Sequence, residues 1–154
     1  MDIFILSLLI LLNGLFSMSE ISLVSARKAR LEHLAEKGDK KAILALALSN
    51  HPELFLSAVQ IGITLISIIT GVYSGERFGK DLQPIVEQVP FLKPYAETVS
   101  TTFIVILVTY LSIVFGELIP KRVGLLRSEK IAMMVAGPMK TFATLTHPFV
   151  WLLN

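Results

Sequence analysis

Residues 99–114 contain no Asp, Glu, Lys, Arg or His, and this uncharged run ends in Phe115-Gly116-Glu117-Leu118-Ile119-Pro120-Lys121. No other stretch restricts the possible folds so strongly. A carboxylate at the end of such a run lies at or just inside a membrane boundary, where it must face protein, water or a cation. Gly116 permits unusual backbone angles. Pro120 lacks an N–H, so the Gly116 carbonyl four residues back is left without its helical partner. A freed carbonyl beside a carboxylate offers a cation two hard oxygen ligands. The competing account is an i, i+4 pair between Glu117 and Lys121, with Pro120 only ending a helix. The heptapeptide alone leaves both open.

The same pattern recurs along the chain and sets its class. Hydrophobic residues make up 53% of the 154 residues and charged residues 17%, and the mean hydropathy is +0.69. The charges cluster between long uncharged runs instead of alternating with them, which predicts an all-α membrane protein of one domain. There is no cysteine. Disulfides and thiolate sites are thereby excluded, and a metal would be held by oxygen or imidazole, a donor set that favours Mg²⁺ or Ca²⁺ over Zn²⁺. A net charge of +2 gives no argument for nucleic acid. No nucleotide loop, catalytic triad or soluble carboxylate pair is present, so an enzyme is not expected.

Residues 3–26 form the first expected span, roughly 36 Å long as a helix, with Asn13, Gly14, Ser17, Ser19, Glu20, Ser22 and Ser25 among its few polar or small residues. A cleaved signal peptide fits less well, since Asp2 stands where a basic residue belongs. Residues 27–48 are charged, and Leu31, Leu34 and Ala35, then Ile43, Leu46 and Ala47, recur at helical spacing around Gly38-Asp39. Two short amphipathic juxtamembrane helices follow, with His33 solvated among the charges. Residues 54–73 are the second span, in which Gly62, Thr64, Ser67, Thr70 and Gly71 make a face of small and hydroxylated side chains. Such a face suits close helix packing or, with a neighbour's oxygens, cation coordination. Residues 74–98 read as an external loop and 99–119 as the third span. Positive-inside counting places residues 27–41 and 121–140 in the cytoplasm and the N-terminus outside the plasma membrane. Residues 129–153 are cut by Gly137-Pro138 and His147-Pro148, which predicts a juxtamembrane helix bearing Trp151, with a fourth span as the alternative.

Each span carries an irregular polar patch, so broken or re-entrant segments around an intramembrane cation site are expected. At these patches the chain resembles the transmembrane domain of the CNNM/CorC family, the cyclin M-like magnesium transporters that include hemolysin-like bacterial proteins. Phe16-Ser17-x-x-Glu20 is similar to the first-helix motif and Ile61-Gly62 followed by Leu65 to the second. Gly116-Glu117-x-x-Pro120-Lys121 is similar to the third-helix signature, and Arg30-Leu31-x-x-Leu34-Ala35-Glu36-Lys37-Gly38 to the juxtamembrane helices. Where many members have Ile-Gly-Asn-x-x-x-Asn, this chain has Ile61-Gly62-Ile63-x-x-x-Ser67.

The resemblance implies a homodimer in lipid, each protomer holding Mg²⁺ in an inward-facing acidic cavity, with export coupled to Na⁺. Carried onto matching positions, it makes Ser17 and Glu117 metal ligands. Thr64, Ser67 and the Gly116 carbonyl are further oxygens in reach. It also implies paired cytosolic CBS domains beyond this sequence, as in a longer protein. The missing amides leave a polyamine exporter as an alternative, because a diamine needs acceptors and not octahedral ligands. A membrane anchor or sensor for the CBS domains is the reading from a different class.

Overall fold

The computed structural model describes residues 1–153, with side chains through Pro148. Its elements are helical throughout, with no strand among the described residues: α1 Asp2–Ser25, α2 Lys28–Glu36, α3 Lys40–Asn50, α4 Pro52–Val86, α5 Ala96–Ile113, α6 Ile119–Leu126 and α7 Ser128–Leu153. Three segments, Asp2–Ser25, Pro52–Val86 and Lys93–Leu126, are long and apolar enough to cross a membrane. They correspond to the three expected spans.

Local chemistry accounts for the joints. Gly38 takes φ +86°, which only glycine adopts without strain, and ends the α2 segment. Asp39 then caps α3, its Oδ1 accepting from the Lys41 and Ala42 backbone N–H groups at 2.8 and 3.3 Å. A buried apolar cluster lies at this end of the molecule. Leu23, Ala26, Leu31, Ala45, Phe55, Val59, Ala132 and Ala136 come together from α1, α2, α3, α4 and α7. The short helices and α7 thus form a belt around one end of α1 and α4. α7 is continuous through Gly137-Pro138, and its Phe142 ring packs edge-on to Phe16 at 4.8 Å. The side chain of Trp151 lies outside the described residues. Gly62, expected on a face open to close approach, is covered within the chain, because an added Cβ would sit 3.0 Å from Phe16 and 3.3 Å from Phe142.

Two expectations change. Residues 74–98 are not all loop, since α4 runs on as helix to Val86. At roughly 52 Å it exceeds a hydrocarbon core of about 30 Å, so its last turns stand outside the apolar layer. Gly75 and Gly79, within the stretch read as loop, are packing residues. A Cβ on Gly75 would meet Val105 at 2.8 Å, and one on Gly79 would meet Thr101 Oγ1 at 2.8 Å and its Cα at 3.1 Å. The third span, in turn, changes its winding between α5 and α6. A π-helical turn, Val114–Leu118, joins α5 to α6, with the Ile119 N–H donating to the Val114 carbonyl five residues back. One extra residue in the turn lets the chain pass Pro120, at the start of α6, whose missing N–H would interrupt an α-helical ladder.

Candidate functional site

The π turn is held by α1. Asn13 Nδ2 donates to the Gly116 carbonyl at 3.3 Å, so the oxygen that Pro120 deprives of a helical partner is taken up across the helix pair. Small residues make the approach possible. A Cβ on Gly14 would lie 3.0 Å from Pro120 Cγ, and one on Gly116 would lie 3.1 Å from Asn13 Nδ2 and 3.2 Å from the Ile10 carbonyl. About two turns further, Ser22 Oγ bonds to the Met18 carbonyl at 2.6 Å and reaches the Gly124 carbonyl at 3.4 Å. The register of α1 against α6 therefore fixes where Glu117 stands.

Glu117 lines a cavity of about 70 Å³ between α1, α4 and α5, whose other polar residues are Asn13, Ser67, Thr70, Thr109 and Ser112. That volume holds a small cation with a few waters. The Oδ1 of Asn13 and the Oγ of Ser112 are buried with no hydrogen-bond partner. Buried polar atoms in native proteins are nearly always bonded, so unpartnered oxygens on a cavity wall mark places where a ligand or water is to be bound. The wall thus combines one carboxylate, hydroxyls and one carboxamide oxygen, all hard donors.

Of the expected site residues, the structure brings Glu117 and Ser67 to this wall. Ser17 is fully buried one turn from Asn13, with its Oγ unpartnered, but is not on the wall. Thr64 is exposed, and Gly116 faces α1. Asn13, Thr70, Thr109 and Ser112 join the site without having been singled out for it. Asn13 had a signal, as the one carboxamide in the first apolar run, and Thr70 lay on the hydroxylated face. Ser112 had none beyond being polar in an apolar stretch. Among the described residues no three His, Asp or Glu side chains lie together, so one carboxylate and neutral oxygens make the donor set.

Lys121 completes the picture. Its Nζ donates to Glu117 Oε1 at 2.6 Å and lies 3.7 Å from Glu20 Oε2. The ion pair anticipated as the competing account does form, on the same carboxylate that faces the cavity.

Fold and site together define a multi-pass helical membrane protein with a carboxylate-bearing polar cavity between its spans. The chain belongs to the CNNM family, whose cyclin M transmembrane N-terminal domain matches residues 4–154. Among its relatives, the UPF0053 protein sll0260 of Synechocystis is 50% identical over 154 residues, covering 100% of this chain and 34% of its own length. The UPF0053 protein YhdT of Bacillus subtilis is 36% identical over 153 residues, covering 99% of this chain and 33% of its own length. A polyamine export protein of Haemophilus influenzae is 35% identical over 143 residues, covering 93% and 33%. The chain spans about a third of the length of these curated relatives. Proteins of this family are transport-related membrane proteins.

Proposed function

We propose that this chain is the membrane core of a cation exporter and that Glu117 supplies the charge that holds the cation. One observation carries this: a carboxylate within a span faces a small cavity whose other polar atoms are hydroxyl and unpartnered carboxamide oxygens. Mg²⁺ is the cargo favoured by an all-oxygen donor set, with Na⁺ as coupling ion from the family resemblance. The Asn13 carboxamide, reaching in from α1, stands in for the amides that the second span lacks. A polyamine is the second reading. Relatives from Haemophilus influenzae, Salmonella typhimurium and Escherichia coli carry the name polyamine export protein, and a primary ammonium, that of Lys121, is already seated on Glu117. Isothermal titration of the purified chain with Mg²⁺, Ca²⁺, Na⁺ and putrescine separates the two. Binding of none of the four would favour a membrane anchor for cytosolic domains.

In this proposal the N-terminus is outside the plasma membrane and the belt of α2, α3 and α7 faces the cytoplasm, as the basic residues of the belt require. Lys37 and Gln88 are both exposed and lie on opposite sides. A membrane-impermeant thiol reagent is expected to modify Gln88→Cys on intact cells and to spare Lys37→Cys. The opposite pattern would invert the topology.

The protein is further proposed to act as a homodimer. Only 11% of the apolar window in the third span is buried within the chain, and Phe103, Ile106, Leu107 and Tyr110 form an exposed stripe at helical spacing on α5. A detergent-corrected mass corresponding to monomer at every concentration would exclude this.

A further inference from the structure

Glu117 has a tethered occupant. The Lys121 ammonium sits one helical turn away at 2.6 Å, so any cargo cation that binds Glu117 meets a positive charge already in place. Two cations on one partly buried carboxylate repel, so the site fills most readily when the ammonium leaves. It has somewhere to go. Glu20, on α1, places Oε2 3.7 Å from the same Nζ, within the reach of a rotamer change in a flexible four-carbon stem. The side chains of Lys121, Glu20 and Glu117 are 33%, 24% and 39% exposed, so each keeps a part of its surface open. Glu20 does not line the cavity. An ordinary i, i+4 pair would need neither the second carboxylate nor a partner that faces a cavity.

We propose that Lys121 is an internal counter-cation: it occupies Glu117 when the cavity holds no cargo and moves onto Glu20 when a cation takes Glu117. Its return to Glu117 expels the cargo, so the carboxylate is never left unpaired in the apolar layer. This rests on Glu117 being the cargo carboxylate. Lys121 and Glu20 are positioning residues, since neither lines the cavity.

The test is isothermal titration of the purified full chain with MgCl₂ and, separately, putrescine. Wild type is compared with Lys121→Gln, Lys121→Arg, Glu20→Gln and the Lys121→Gln/Glu20→Gln pair, each checked for an unchanged elution profile. Lys121→Gln is expected to tighten binding about tenfold or more by removing one competing charge-assisted hydrogen bond. Lys121→Arg keeps the competitor and the low affinity. Glu20→Gln weakens binding several-fold, because the ammonium loses its alternative partner. The pair of substitutions matches Lys121→Gln alone within about twofold, since Glu20 acts only through Lys121. Binding that depends on Glu117 but is unchanged in Lys121→Gln would overturn this proposal and leave the function standing. So would an equal effect of Glu20→Gln with and without Lys121. Absence of binding in wild type and Lys121→Gln alike would overturn both.

Discussion

Glu117→Gln is expected to bind neither Mg²⁺ nor putrescine in the range where the wild-type chain binds, while eluting and folding as wild type does. The change preserves size and hydrogen-bonding capacity and removes the one formal charge on the cavity wall. A cation drawn into such a site is offset by that charge alone, because hydroxyl and amide oxygens contribute dipoles only. Losing a charge-assisted contact in a partly buried site costs about 1.5–3 kcal/mol, roughly ten- to a hundredfold in affinity. The fold survives because Lys121 keeps Glu20 at 3.7 Å and its stem can carry the ammonium to water. Ser17→Ala should matter far less. Its Oγ is an unpartnered buried hydroxyl off the cavity wall, so deleting it removes a polar atom that gains nothing in this conformation. Unchanged affinity for both ligands in a folded Glu117→Gln chain would end the cation-site reading.

Gly124→Val should be the most destabilising single change on the α1 and α6 seam. A Cβ there would lie 2.5 Å from Ile21 Cγ2, 2.9 Å from Ser22 Oγ and 3.0 Å from the Met18 carbonyl. The isoleucine methyl has some freedom, but the carbonyl belongs to helical backbone and cannot yield. Overpacking of this kind costs about 1–3 kcal/mol, and a β-branched side chain adds more atoms to the clash. Relief requires α6 to move off α1, which carries Lys121 away from Glu20, so ligand affinity should change along with stability. Gly71→Ala is the contrast. Nothing lies within 4 Å of its added Cβ, and in the middle of α4 the loss of glycine entropy should raise stability by about 0.5–1 kcal/mol. Thermal unfolding in detergent measures both. A Gly124→Val chain that melts with wild type would mean that the close approach of these helices is not tight.

Three spans, two short helices between the first and second, and a carboxylate at the end of the third were all legible from residue order. Each depends on a one-dimensional property: the length of an uncharged run, the spacing of apolar residues, or a charge where none is affordable. The family followed from the same places, through Phe16-Ser17-x-x-Glu20 and Gly116-Glu117-x-x-Pro120-Lys121.

The extent of α4 was not legible, because Gly75, Gly79 and Pro84 are loop signals when taken alone. Their role became visible only with Thr101 and Val105 beside the two glycines. The wall of the cavity was hidden for the same reason. Ser67 and Glu117 are fifty residues apart in the chain and share a cavity because α4 and α5 pack, while Ser17 and Thr64, equally plausible by type, point elsewhere. Pro120 foretold a carbonyl without its helical partner but not that Asn13, from another helix, would take it. Sequence by itself thus determined which segments are apolar enough to cross a membrane and that carboxylates stand within the first and at the end of the third, since desolvation acts on each segment separately. Which oxygens surround that charge, and that Lys121 already rests on it, only the tertiary structure decided, because those contacts are set by the register of separate helices and by the absence of a Cβ at Gly14, Gly116 and Gly124.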